Sequence, residues 1–473
     1  MTAEALRDAS QGDGFTVRLA SVTDFRRVAA SVRDALGGLP GAPDDLTSCR
    51  LERLHFGGGI GPVAEYDMTF LVAGARERRR MFVQVPRDDP HDAFMTARTK
   101  VGRRLAEAGQ SPAGRQRLVY LADIGAILRP EGLDERIDGL WLLAGGASFP
   151  RIAEAGPRPG WDAFETAARD GFSGRLLAHR LGKRAVLDLR AGAPSEAGPP
   201  SVIAKFYKRS TTKLAAIADR HARLSSGAFA GSGDVRVPRV LAIFENQRGL
   251  ATDCAEGQPL GDIEGAAAAH AYHLGGKALA CLHGARLDAP FHGPSDEQAM
   301  LSAIVSRVLE VDPVFEDGFR LAMAAVGRRR QLCQPFEMCL IHRDFHEKQV
   351  ISDGERACLI DFDMIANGDP AQDLANFLAH LSLRELQTNE DMRNNVASFV
   401  EGYLRHRANC ERENLEFHLS ATFTRLASIL AFSDRWRHLV PTLLAQAVDC
   451  PVTSSHVALA PRTKASNRRP HQV

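Results

Sequence analysis

Two short apolar runs late in the chain, each delivering a carboxylate, constrain its fold more than any other feature. CLIH, residues 339–342, leads to Asp344, and ACLID, residues 357–361, ends on Asp361. Apolar runs this short between polar turns read as buried strands. The polar segment IHRDFHEKQVI (Ile341–Ile351) is then a loop flanked by two strands, with Gln349 five residues after Asp344 on its far side. The competing reading makes both aspartates ordinary turn residues at strand ends.

The spacing has a use in phosphoryl transfer. An acceptor hydroxyl must be aimed at a phosphate and must lose its proton as the new bond forms, which calls for one carboxylate not tied to metal. A second carboxylate and a neutral carbonyl oxygen suit Mg²⁺, a hard cation that takes oxygen ligands. Asp344 fits the first role, and Asp361 with Gln349 fits the second. The run continues as IDFDMIANGDPAQDLA, residues 360–375. With its several polar residues recurring in order, the segment resembles the catalytic and metal-binding loops of the aminoglycoside phosphotransferase and choline kinase family, which shares the protein-kinase fold.

The resemblance matches HxDxxxxN to His342, Asp344 and Gln349, the metal-binding aspartate to Asp361, and GDPxxDLA to Gly368, Asp369, Pro370, Asp373, Leu374 and Ala375. Gln349 stands where the family usually has Asn, an exchange also found in maltokinase-like members. Asp363 stands where protein kinases have Gly, placed to assist a metal or to bond to backbone. The resemblance makes His342 and Asp373 structural supports, Asp373 bracing the catalytic loop from a helix start. His346 and Glu347 read equally as solvated loop residues and as substrate contacts.

The resemblance also implies an upstream lobe with a strand lysine, and Lys205 in SVIAKFY (Ser201–Tyr207) fits, as a point charge for nucleotide phosphates. The family's helix glutamate is missing, since no Glu lies between Lys205 and Glu245, and Asp219 is the available substitute. No GxGxxG precedes Lys205; the turn at Leu181, Gly182, Lys183 and Arg184 takes the place of a nucleotide loop. Residues Thr252–Ala255, with Thr252 and Cys254, fit a hinge whose backbone would bond adenine.

Two strand-rich blocks resemble each other. In each, paired strands lead to MFVQV or VIAKF, then a helix, then LVYLADI or RVLAIFE, and a closing Gly-Leu segment, GLWLLAGG or GLATDCAEG. This suggests a duplicated unit whose first copy has Gln84 where the second has Lys205. The first copy's Gly57, Gly58 and Gly59 then read as a hairpin loop and not as a phosphate cradle. The expected fold is α+β: a two-lobed protein-kinase-like fold with a strand-rich lobe at 161–253 and a mainly helical lobe at 254–450. An N-lobe-like α/β cap at 1–160 precedes it, and a basic, disordered tail at 451–473 follows. Within the cap, TDFRRVAASVRDAL (Thr23–Leu36) reads as a helix behind a Thr cap, and LWLLAGG as a strand.

Composition excludes other classes. Lys+Arg 59 against Asp+Glu 58 leaves a net charge of +1, so no global field draws the chain to nucleic acid or anionic lipid. No apolar run reaches the roughly 18–20 residues that cross a bilayer. The 8 cysteines include no CxxC pair and read as reduced thiols of a cytoplasmic protein. The function expected is ATP- and Mg²⁺-dependent phosphorylation of a small-molecule hydroxyl, on a sugar, amino-sugar or related alcohol. Glu385, Glu390 and Asp391 are candidates to recognise an amino-sugar, against a solvated helix end. The alternative is a catalytically weak nucleotide-binding scaffold. No APE-like activation segment separates Asp361 from Asp373, which disfavours a protein kinase.

Overall fold

The computed structural model describes residues 14–37, 45–56, 59–107, 117–143, 164, 172–191, 201–208, 214–408 and 410–450. Gly57, Gly58, the GPRPG linker (156–160) with the boundary drawn there, and the basic tail lie outside the described residues.

The first unit opens with α1 (Phe25–Leu36), whose inner face buries Val28, Ala29 and Val32. Its cap is Asp24, not Thr23: the Asp24 carboxylate accepts the Arg26 and Arg27 N–H groups at 2.9 and 3.3 Å. Thr23 Oγ1 instead donates back to the Ala20 carbonyl. Both residues are good caps, and the one whose side chain reaches the free N–H groups wins. There follow β1 (Asp45–His55), β2 (Val63–Val72), β3 (Ala75–Gln84), α2 (Pro90–Glu107), β4 (Val119–Leu121) and β5 (Ala126–Pro130). β2 shows why this is sheet, since it buries Tyr66, Met68, Phe70 and Val72 on alternate positions. Ala73 and Gly74, both at positive φ, close its two-residue hairpin to β3.

The second unit comprises β6 (Phe172–Arg180), β7 (Arg184–Ala191), β8 (Ser201–Tyr207), α3 (Leu214–Ser226), β9 (Val235–Arg236), β10 (Val240–Phe244) and β11 (Gly249–Asp253). The first sheet runs β1-β2-β3-β5-β4 and the second β6-β7-β8-β11-β10, so the two five-stranded sheets share one topology. All neighbours are antiparallel, and each unit places its helix after the third strand. Register aligns them further. Gln84 faces Ile127 and Lys205 faces Leu250, in each case the second residue after the turn joining the last two strands. The duplication is therefore present in the fold.

The closing segments do not correspond as expected. The counterpart of GLATD is AILRP in β5, while GLWLL falls in a 3₁₀ turn, Asp138–Leu143. That turn packs on the second sheet: a Cβ on Gly139 would stand 2.1 Å from the Phe206 ring. An apolar run of this length buries equally well in a ladder or against a neighbouring sheet, and periodicity alone does not separate the two.

The helical lobe contains β12 (Gln258–Pro259), α4 (Ala266–Gly284), β13 (Phe291–His292), α5 (Pro294–Val311), α6 (Glu316–Leu332) and β14 (Cys339–Ile341). It continues with β15 (Val350–Ser352), β16 (Ala357–Leu359), β17 (Ala366–Gly368), α7 (Pro370–Thr388), α8 (Arg393–Leu404), α9 (Arg412–Leu430) and α10 (Val440–Asp449). α4 and α8 cross where only glycine fits, since a Cβ on Gly276 or Gly402 would meet a carbonyl oxygen of the other helix at 2.0 Å. Beside this crossing Phe377 stacks on Phe399 at 3.8 Å and both meet Phe345 of the loop that carries Asp344, so the loop is seated on the core.

The first unit contacts both lobes. Leu51 and Asp434 exchange two hydrogen bonds, Leu51 N to Asp434 Oδ2 at 2.7 Å and Asp434 N to Leu51 O at 2.9 Å. Phe56 meets Phe432 edge-on, and one apolar cluster runs from β1–β5 into the helical lobe. At the other seam the Asp134 carboxylate accepts the Gly182 N–H at 2.6 Å and pairs with His179 at 3.2 Å. All eight cysteines are free thiols, and among the described residues no helix is long and apolar enough to cross a membrane.

Candidate active site

The loop carrying Asp344 runs from β14 to β15. Its start is fixed by Asp373, fully buried in the first turn of α7: one carboxylate oxygen accepts the His342 N–H at 2.6 Å, the other the Arg343 N–H at 2.7 Å. His283 of α4 reaches the same carboxylate at 3.1 Å and the Tyr403 hydroxyl at 2.9 Å. Burial pushes the Asp373 carboxyl up, and the His283 contact, with the His342 N–H bond, brings it below the usual range. Two bonds to consecutive N–H groups also hold Arg343 at φ 69°, a left-handed conformation unusual for a side chain of that size. His342 donates from Nε2 to the Ile360 carbonyl at 2.9 Å, tying this loop to the one that ends at Asp361.

Past Asp344, Asn376 of α7 donates to the Phe345 carbonyl at 2.7 Å, and its own carbonyl accepts from Arg425 of α9. Arg425 also lies 3.9 Å from Asp344, whose side chain remains 40% exposed and so open to a substrate. Gln349 is brought beside the Asp361 strand by the β15–β16 pairing, with Ile360 N bonded to Gln349 O at 2.9 Å. Its side-chain amide meets His346 Nε2 at 3.2 Å, and the His346 ring stacks on His380 at 4.6 Å.

Asp361 sits at φ 64°, a second left-handed residue two positions past a strand. Lys205 Nζ lies 2.7 Å from its Oδ1 and 2.7 Å from Asp363 Oδ2. Arg184, at the foot of β7, reaches Asp361 at 3.3 Å and Asp363 at 2.7 Å, and the Tyr207 hydroxyl donates to Asp363 at 2.8 Å. Burial pushes Asp361 up, and the Lys205 and Arg184 charges overcome it, holding the carboxyl well below the usual range. Two cations and two carboxylates thus join three segments far apart in the chain.

Two expectations are corrected here. Asp219 does not approach Lys205: its side chain is 64% exposed and its partner is Arg223, one turn further along α3 at 3.9 Å. α3 turns Ile217, Ala218, His221 and Leu224 inward, which leaves Asp219 on the outer face. The acidic partner of Lys205 beside Asp361 is Asp363, which bonds to side chains and not to backbone. Its position two residues after Asp361 was the available signal, as was the place of Arg184 in the turn that stands for a nucleotide loop; Arg425 carried none.

At the hinge, Thr252 is buried and donates to the Ile203 carbonyl at 3.5 Å, while the Cys254 carbonyl accepts from Arg236 at 3.2 Å. Burial raises the Cys254 thiol. Glu390 and Asp391 are already paired, with Arg384 and Arg393.

A cavity of about 1120 Å³ opens beside the loop that carries Asp344, lined by its residues His346–Gln349. Its walls come from all three parts of the molecule: β1–β3 of the first unit, the β6–β7 hairpin, and the loop His346–Gln349 with α7 and α9.

A family match falls within the second and third parts of the molecule. Residues 193–416 match the model of the phosphotransferase enzyme family. None of the curated proteins compared matches the chain. Among solved structures, a choline/ethanolamine kinase family protein from Mesorhizobium loti is 17% identical with a TM-score of 0.41, covering 63% of this chain and 97% of its own. Amicoumacin kinase hAmiN, solved with AMP-PNP, Ca²⁺ and Ami, is 13% identical at 0.42, over 59% of this chain and 88% of that one. Aminoglycoside phosphotransferase APH(3'')-Id from Streptomyces rimosus ATCC10970 is 21% identical at 0.36, over 55% and 97%. Over residues 193–416, the chain is similar to the phosphotransferase enzyme family.

Proposed function

We propose that this protein transfers the γ-phosphate of ATP to a hydroxyl of a small molecule. The observation that carries the reading is the meeting of Lys205, on the third strand of the second sheet, with Asp361 at 2.7 Å, across 156 residues of sequence. A half-buried lysine and aspartate are brought together from two lobes, beside a loop braced by a fully buried carboxylate.

The donor set fits the implied Mg·ATP. Asp361 supplies a carboxylate held in its ionised form and Gln349 a neutral carbonyl oxygen, both hard donors for Mg²⁺. The metal would neutralise phosphate charge when bound. Lys205 and Arg184 supply positive charge for the phosphate oxygens. Asp344 orients the acceptor hydroxyl and accepts its proton, while Asp373, through the His342 and Arg343 N–H groups, keeps the Asp344 loop in place. Thr252 and Cys254 line the hinge for the base, and the acceptor occupies the cavity between the first unit and α7. The first unit then acts as a cap.

The engagement of the Gln349 amide with His346 favours a second reading, a scaffold that binds nucleotide without turning it over. ADP release measured against sugars, amino-sugars, choline-like alcohols and nucleosides separates the two. The expected result is acceptor-stimulated release that falls about 10²–10⁴-fold in Asp344→Asn. Binding of Mg·ATP with no stimulation by any acceptor supports the scaffold, and absence of ATP binding sinks both.

A further inference from the structure

The cavity beside the catalytic loop is lined by eight Lys or Arg side chains against five carboxylates, and the pairing is more lopsided than the count. Glu65 and Glu131 are both bound to Arg80, at 3.2 and 2.9 Å, and Asp67 is shared by Arg50 and Arg78. Arg53, Arg180, Lys348 and Arg435 make no ion pair with any described residue, and all four are exposed to the cavity. The surplus charge is concentrated: burial, then Arg184, then Arg53, lower the Arg180 guanidinium, and Asp344 is among the groups that offset them. Arg53, Arg180 and Arg184 thus line one cavity, beside the loop that carries Asp344. Such a cluster raises the energy of the empty cleft, and an anion entering it relieves that repulsion.

The nucleotide does not account for Arg53 and Arg435. Lys205 and Arg184 already stand at Asp361, whereas Arg53 lies on β1 of the first unit and Arg435 beyond α9, on the walls of the acceptor cavity.

We propose that the acceptor bears an anionic group, carboxylate or phosphate, beside the hydroxyl that is phosphorylated, and that Arg53 and Arg180 hold that group. The inference rests on the reading of Asp344 as the acceptor's base. It replaces a cationic amino-sugar with its electrostatic opposite, and it gives the first unit a role in specificity, because Arg53 comes from there. Guanidinium groups suit planar carboxylates and phosphates through paired N–H donors.

The test uses the full chain with D-glucose, D-glucosamine, D-glucuronate and D-glucose 6-phosphate, followed by ADP release and, separately, by calorimetric binding to the Asp344→Asn protein. The expected result is tighter binding and faster turnover of one or both anionic sugars than of glucose or glucosamine; which of the two leads distinguishes carboxylate from phosphate. In Arg53→Ala the KM for that acceptor rises about 10- to 100-fold, the KM for ATP stays in place, and Arg53→Lys recovers part of the loss. Preference for glucosamine, or an unchanged anion preference in Arg53→Ala and Arg180→Ala, overturns the inference. Anion binding without turnover supports the anionic site and counts against the phosphotransfer reading. Binding of none of the four overturns the anionic site.

Discussion

The two five-stranded sheets are one topology put to two uses, and the difference lies in what stands behind a single register position. In the second sheet Lys205 projects toward Asp361 and Asp363, charged groups from another lobe. In the first, Gln84 is buried and fully engaged: its amide donates to the Ile60 carbonyl at 2.7 Å, and its carbonyl accepts from Arg129 at 2.8 Å. Arg129, only 2% exposed, closes the network on Glu135 at 2.7 Å. One sheet leaves its polar group facing a cleft, and the other turns the same place into sealed core. The first copy thus satisfies this position internally, which the strand order alone does not reveal.

The largest effect is expected where the sealed copy is broken. Arg129→Ala leaves Gln84 and Glu135 without their buried partner and costs about 3–5 kcal/mol of stability, read from the midpoint of a urea titration. An unchanged midpoint means that the network does not hold the first unit together. Next comes the exchange that makes the second sheet resemble the first. Lys205→Gln lowers kcat/KM for ATP about 10- to 100-fold, whereas Gln84→Lys creates no second nucleotide site, as equilibrium binding of ATP would check. The smallest effect concerns the two helices that follow the third strands. α2 buries only Ala97, Val101 and Leu105, while α3 buries His221 against Phe362. Burial, then the Lys205 charge, lower His221 from its ordinary 6.5 to about 4. The folded state thus favours neutral His221, so its contribution is present above pH 6.5 and is lost as the pH falls toward 4. The loss is at most about 1.4 kcal/mol per pH unit in that window. His221→Leu flattens this acid limb in melts between those pH values; an identical limb in the variant refutes the assignment.

Much of the second unit was legible because its signals are local. SVIAKFY and RAVLDLR alternate as half-buried strands must, and the apolar runs CLI and ACL became β14 and β16. The likeness of MFVQV to VIAKF also survived as a shared register position. What remained hidden depends on tertiary direction. Nothing in the helical pattern of α3 says that Asp219 points outward until the packed face is known, and nothing around Arg425 announces a contact with Asp344 from α9. GLWLL carries the same apolar content as a strand, and only the Phe206 ring beneath Gly139 decides otherwise. Asp363 lay in plain view, but choosing it over Asp219 required the three-dimensional position of Lys205.

The two seams of the first unit have a mechanical consequence. It grips the β6–β7 hairpin through Asp134 and Gly182, and it grips the helical lobe through Leu51 and Asp434. If the two lobes open at the proposed hinge, Thr252–Ala255, those anchor points move apart and the first unit is a strut across the bite. Such an opening would either release one anchorage or swing the strut as a third rigid body, and the hydrogen bonds at the weaker seam would set its cost.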